Sequence, residues 1–211
     1  PEVLKALSLN PIGHLDDAYL ELMSDVQELL RYVWQCNNRV SLPMSGTGSA
    51  AMEASIANFI EEEETILIAK KGYFGDRLVD MATRYKANVV VIEKEWGEAF
   101  SLDEIKFEIE KNKPSIFAIV HAETSTGVLQ PLDGIGEICR KNNCLFLVDA
   151  VTSLGAVKLL VDDWKIDLAY SCSQKGLSCP PGLSPFTMNN RAEEKLNKRK
   201  SKVPNWYLDL S

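Results

Sequence analysis

The chain reads as an α/β domain whose mostly parallel central sheet is covered by helices on both faces, a three-layer αβα arrangement. Two observations predict this. The runs Ile116-Phe117-Ala118-Ile119-Val120 and Leu145-Phe146-Leu147-Val148 are apolar without alternation, the pattern of strands buried on both faces. Strand-like and helix-like segments also alternate along the chain, which argues for an open sheet with right-handed crossovers. At 211 residues the chain is long enough for one such domain with a full core.

In order, residues 15–34 carry Leu15, Tyr19, Leu22, Met23, Val26, Leu29, Leu30 and Val33 at helical spacing, which predicts an amphipathic helix. Ser41-Leu42-Pro43-Met44 is short and broken by proline, so no clear strand is assigned there. Ser45-Gly46-Thr47-Gly48-Ser49 is a turn, and strong helix formers fill 50–60. Strands are expected at 65–69, 88–92, 115–121, 144–149 and 167–171, with helices at 73–85, 102–111 and 132–142 between them. The basic segment 191–202 is interrupted by Glu193 and Glu194 and reads as a solvated helix.

Composition limits the function classes. Hydrophobic residues make up 45% and charged residues 25%, ordinary soluble-globular values. A net charge of −7 argues against nucleic acid as the main partner. Five cysteines without CxxC spacing, and only His14 and His121, predict reduced thiols, an intracellular compartment and no metal centre. No apolar run reaches the roughly 18–20 residues of a membrane span, and no signal peptide opens the chain. Both ends read as cut, at Pro1 and at Ser211.

Open α/β sheets bind ligands outside the carboxyl ends of their strands. Three polar segments are predicted to converge there: His121-Ala122-Glu123-Thr124-Ser125-Thr126-Gly127, Asp149, and Ser173-Gln174-Lys175. Lys175 is either an ordinary loop lysine or a reactive amine able to form a Schiff base. Gly46-Thr47-Gly48-Ser49 opens a helix and is either a phosphate cradle or a capped helix start. Its Gly46, Gly48 and Ala51 also match G-x-G-x-x-A, but a dinucleotide site needs a strand before the turn and an acid after the next strand. Asp149 could cap the following segment or hold a protonated ring nitrogen. Phe74, flanked by Gly72 and Gly75, could be core or could stack on a flat cofactor. Together the functional readings are the complement of pyridoxal 5′-phosphate: a phosphate cradle, an acid for a ring nitrogen, an aromatic lid and a Schiff-base lysine.

In this order, Ser45-Gly46-Thr47-Gly48-Ser49, His121-Ala122-Glu123-Thr124-Ser125-Thr126-Gly127-Val128, Val148-Asp149-Ala150 and Ser173-Gln174-Lys175-Gly176 closely resemble the alanine–glyoxylate/serine–pyruvate aminotransferase family of class V, fold type I. Gly127–Gly134 and Pro180-Pro181-Gly182 extend the likeness over nearly the whole chain. The resemblance implies that residues 1–211 are the large pyridoxal-phosphate-binding domain, with a carboxyl-terminal small domain and the extreme amino terminus outside the chain. It implies that Lys175 carries the cofactor and moves the substrate Cα proton, and that Asp149 pairs with the pyridine nitrogen. Thr124, ahead of Ser125, would bond the ring hydroxyl side. Phe74 would stack on the ring, and Thr47, Gly48, Ser49 and Gln174 would bind the phosphate, with Ser49 standing where some relatives have His. Gly13 resembles the amino-terminal segment that approaches the active site in the dimer.

The activity so implied is transfer of an amino group from a small amino acid, alanine or serine, to glyoxylate or a related 2-oxo acid by a homodimer. The compartment implied is cytoplasmic, or peroxisomal if a terminal signal lies outside the chain. Transaminases for 3-hydroxykynurenine or 2-aminoethylphosphonate, and a non-catalytic subunit of the same fold, are the alternatives. A desulfurase is disfavoured because Cys172 and Cys179 flank the lysine too closely and look like small packing residues.

Overall fold

The computed structural model describes residues 1–211. In chain order the elements are α1 (Glu2–Leu7), α2 (Asp17–Trp34), β1 (Val40–Ser45), α3 (Gly48–Phe59), β2 (Thr65–Lys70), α4 (Tyr73–Arg84), β3 (Asn88–Glu93) and α5 (Leu102–Asn112). There follow β4 (Ile116–Val120), β5 (Ala122–Glu123), β6 (Val128–Leu129), α6 (Ile135–Lys141), β7 (Leu145–Asp149), β8 (Leu168–Tyr170), β9 (Leu183–Met188) and α7 (Asn190–Asn197). The main sheet has the order β1-β9-β8-β7-β4-β2-β3, and β5 and β6 form a small antiparallel ribbon. Only β9 runs against its neighbours, so six strands share one direction and one carboxyl edge. No helix is long and apolar enough to cross a membrane.

The three layers follow from the strand sequences. In β4 and β7 every residue is buried, because successive side chains point to opposite faces and both faces are covered. Ile116, Ala118, Leu145 and Leu147 join α3, α4 and α7 in one core, while Phe117, Ile119, Phe146 and Val148 join α2, α5 and α6 in the other. Helix α5 starts at a capping box in which Ser101 Oγ accepts from the Glu104 N–H and the Glu104 carboxylate accepts from the Ser101 N–H.

Two expectations need correction. A strand does precede the glycine turn: β1 pairs antiparallel with β9, with Pro43 opposite Pro185. Both prolines lack an N–H, so they can sit together only at a non-hydrogen-bonded pair, and β1 is an edge strand where proline is tolerated. The dinucleotide reading still fails, now on topology: β1 lies at one edge of the sheet, and β2 pairs with β3 and β4 rather than with it.

The basic segment 191–202 is helical only to Asn197, and α7 is not simply solvated: Ala192 and Leu196 are buried. Asp167, fully buried just before β8, accepts from Arg191 Nη1 at 2.7 Å, Asn189 Nδ2 at 2.7 Å and the Phe146 N–H at 2.9 Å. Removing an acid from such a cluster leaves a half-buried guanidinium and two donors unmatched. Asp167→Ala should therefore lower stability by about 3 kcal/mol, read from urea denaturation midpoints; a loss under about 1 kcal/mol would show that water replaces the carboxylate.

Candidate active site at the carboxyl edge of the sheet

Asp149 is the last residue of β7 and is 2% exposed. Its Oδ1 accepts from the Val151 N–H at 2.9 Å, an Asx turn that redirects the chain, and its Oδ2 accepts from the Tyr170 hydroxyl at 2.9 Å. Burial raises its carboxyl pKa to about 6; the two hydrogen bonds and the charge of Arg77 oppose that rise, while Glu123 adds to it. Each carboxylate oxygen keeps a lone pair after these bonds, so Asp149 can still accept from a cationic N–H donor. The capping reading of Asp149 is thus realised as a turn, and it coexists with the ligand reading.

The glycine turn sits on the same edge. Gly46 N–H donates to the Gly182 carbonyl at 2.8 Å, and Ser184 Oγ donates to the Gly46 and Thr47 carbonyls. Thr47 is the N-cap of α3, yet no side chain caps this helix start. Glu53, farther along α3, does not reach back to the helix start but accepts from the Tyr85 hydroxyl at 2.8 Å. The side-chain-capped reading therefore fails, and the first backbone N–H groups of α3 are left without a side-chain partner. A Cβ on Gly48 would lie 2.9 Å from Val151 Cγ2 and 3.3 Å from Cys172 Cβ. Glycine is thus what allows α3 to approach both the Asp149 turn and the segment leading to Lys175.

Lys175 and Gln174 lie exposed in the turn after β8. The next residue, Gly176, fits against the turn that follows Asp149: a Cβ there would stand 2.2 Å from the Leu154 carbonyl. Cys172 lies between these parts, its thiol pushed up by burial and influenced by the charges of both Lys175 and Asp149. Thr124 is exposed and hydrogen-bonds the Thr152 hydroxyl, joining the β4 and β7 loops. Ser125 Oγ is committed elsewhere, donating to Glu123 at 2.7 Å and accepting from the Tyr73 N–H at 3.0 Å. That leaves Thr124 as the freer hydroxyl of the pair. Phe74 is half-buried on the α3–α4 core, with its N–H directed at Glu123. Gly13 lies in an exposed turn whose N–H bonds the Asp16 carboxylate at 2.9 Å, away from these contacts.

The sequence profile of the family described as "Aminotransferase class-V" matches residues 5–202. This chain belongs to the class V aminotransferases. The (S)-ureidoglycine–glyoxylate transaminase of Bacillus subtilis (strain 168) is 44% identical over 200 residues, 95% of this chain and 48% of that protein. The alanine–glyoxylate aminotransferase of Drosophila melanogaster is 40% identical over 209 residues, 99% of this chain and 53% of that protein. Among solved structures, the alanine–glyoxylate aminotransferase of a Nostoc species superposes with a TM-score of 0.98 at 59% identity, covering 99% of this chain and 55% of that one. The chain spans about half the length of the curated relatives it matches.

Three residues at the edge of this class V aminotransferase domain escape a reading from sequence. Tyr170 looked like strand core, and its ring is; its hydroxyl is the donor to Asp149. Arg77, within the helix expected at 73–85 and not singled out there, donates to Ser49 Oγ at 2.8 Å. Lys71 is 1% exposed, with Nζ donating to the Val128 carbonyl at 3.3 Å. Burial brings its pKa down to about 8 against the pull of Glu123 and Asp149. Nearby His121, also buried, is pushed down to about 4 by burial and by the charge of Lys71, so it is neutral near pH 7. His121 Nδ1 and Glu123 Oε2 have no hydrogen-bond partner. The only signal for Lys71 was its place after a strand end, which it shared with Lys70, and Lys70 is the one paired with Asp76 and Glu93.

Proposed function

We propose that this chain is the large cofactor-binding domain of a homodimeric, pyridoxal-phosphate-dependent aminotransferase that moves an amino group from alanine or serine to glyoxylate or a related 2-oxo acid. One observation carries the reading: an uncapped helix start at Gly48 lies against both the Asp149 turn and the Lys175 segment. The residues present fit the cofactor. Asp149 would hold the proton on the pyridine nitrogen, and Thr124 would bond the ring hydroxyl side. Phe74 would cover the ring, while Thr47, Gly48, Ser49 and Gln174 would hold the phosphate. Bound there, pyridoxal phosphate supplies an electron-accepting ring that stabilises negative charge at the substrate α-carbon.

Lys175 Nζ would hold the cofactor covalently and serve as the base that takes the donor's Cα proton and later returns it as an acid. The five free thiols suit a reducing compartment, in the cytoplasm by this reading. A homodimer is supported by the exposed apolar residues Leu4, Leu7, Leu9 and Leu15 in the amino-terminal segment. The remaining half of such a protein would carry the substrate-carboxylate arginine and further phosphate contacts.

The similarity to the Bacillus subtilis ureidoglycine–glyoxylate transaminase favours a second donor, (S)-ureidoglycine, with the same acceptor. The test is a donor screen on the full-length protein, pairing alanine, serine and ureidoglycine with glyoxylate and pyruvate. Turnover with glyoxylate is expected, and the donor ranking separates the two readings. A protein that binds the cofactor but transfers no amino group would sink both and favour a non-catalytic relative.

A further inference from the structure

The phosphate cradle assigned above is electrically neutral: backbone N–H groups, the hydroxyls of Thr47 and Ser49, and the amide of Gln174. A phosphate monoester carries about −1.5 to −2 charges near pH 7, and partial burial of that charge calls for a cation. Lys175 is committed to the cofactor's aldehyde end in the same reading. Lys71 is buried against the Val128 carbonyl under the pull of Glu123.

Arg77 is placed differently. It projects from α4 one turn after Phe74, half-buried, with Nη1 donating to Ser49 Oγ at 2.8 Å in the first turn of α3. Its guanidinium carbon stands 4.9 Å from the Phe74 ring centroid and 5.3 Å from that of Tyr73. Two aromatic faces and one hydroxyl thus fix its position. No carboxylate pairs with it, unlike Arg39, Arg84 and Arg191. Of its five N–H donors only the one on Ser49 is used.

We propose that Arg77 is a ligand of the cofactor phosphate, supplying the positive charge that the cradle lacks. The proposal rests on the reading that pyridoxal phosphate occupies this site. Ser49 and the two rings hold the guanidinium ready, and its planar fork of unused donors matches phosphate geometry. Ser49 then acts in two ways, through its backbone N–H at the helix start and through the hydroxyl that orients Arg77.

The test compares two cofactor forms on the full-length protein. Dissociation constants for pyridoxal 5′-phosphate and for pyridoxal, which lacks the phosphate, are measured by absorbance for wild type, Arg77→Gln and Arg77→Lys. Arg77→Gln should weaken pyridoxal phosphate about 10- to 100-fold, the range of a lost charge-assisted bond, and leave pyridoxal within about twofold. Arg77→Lys should recover part of the loss. Equal weakening of both forms would overturn the proposal and make Arg77 a strut between α3 and α4. No change in either form would overturn it too. If wild type itself failed to bind pyridoxal phosphate at Lys175, the cofactor reading would fall, an outcome separate from any change in selectivity.

Discussion

Lys175→Ala in the full-length protein should reduce amino transfer by on the order of 10⁴-fold or more, since one group supplies both covalent attachment and proton transfer. The fold should hardly notice. Lys175 is exposed and forms none of the ion pairs of the chain. Its carbonyl accepts from the Ser178 N–H at 2.9 Å, a backbone bond that truncation of the side chain leaves in place. Truncation therefore removes no buried contact, and stability should stay within about 0.5 kcal/mol of wild type. Single-turnover assays with glyoxylate, set beside denaturant melts, separate the two effects. Activity near wild type would end the assignment of Lys175; a large stability loss would mean that its methylenes pack in a way the exposed turn does not suggest.

The second large effect is an exchange of function for stability at Asp149. Its carboxyl pKa is raised from 3.8 to about 6 by burial, so the folded apoprotein holds a proton that the unfolded chain has lost between those values. The sign follows: the contribution of this group to stability is fully present below pH 3.8 and is lost as pH rises through 6. At pH 7 the buried carboxylate costs the apoprotein about 3 kcal/mol, at roughly 1.4 kcal/mol per pKa unit. Asparagine avoids most of that cost. Its oxygen can keep the Val151 N–H, and its amide can donate to the Tyr170 oxygen. Asp149→Asn should therefore stabilise the apoprotein by about 2 kcal/mol at pH 7, with the gain fading toward pH 4. It should also lower turnover by at least about 100-fold, because the ring nitrogen loses its anionic partner. Paired thermal melts at the two pH values check the first half. A destabilised variant at pH 7 would show that the Tyr170 and Val151 bonds outweigh the cost of burying the charge.

Much of this site was legible because polar residues stood where an apolar pattern stopped. Asp149 ends a run of four apolar residues, and Lys175 follows a strand among small polar residues that do not pack well. Strands β4 and β7 were legible for the complementary reason: residues buried on both faces leave a continuous apolar signature. Strand β1 was not, because Pro43 is a strand breaker everywhere except at an edge, and edge position is a property of the assembled sheet. Segment 191–202 misled in the same way. Its charges suggested water on all sides, whereas Arg191 and Lys195 reach back to Asp167 and Glu64.

The sequence by itself determined the layer order, the strand-end positions of Asp149, Thr124 and Lys175, and the glycine turn that opens α3. These are local properties, set by side-chain periodicity and by backbone conformations open to few residues. Only the tertiary structure decided which side chains serve those positions. It turned the Tyr170 hydroxyl onto Asp149, buried Lys71 rather than Lys70, left α3 without a side-chain cap and brought Arg77 to Ser49. Each of those outcomes depends on burial and on partners distant in the chain. Desolvation and pairing, which make the same residue type inert on a surface and functional at a sheet edge, exist only once the strands are side by side.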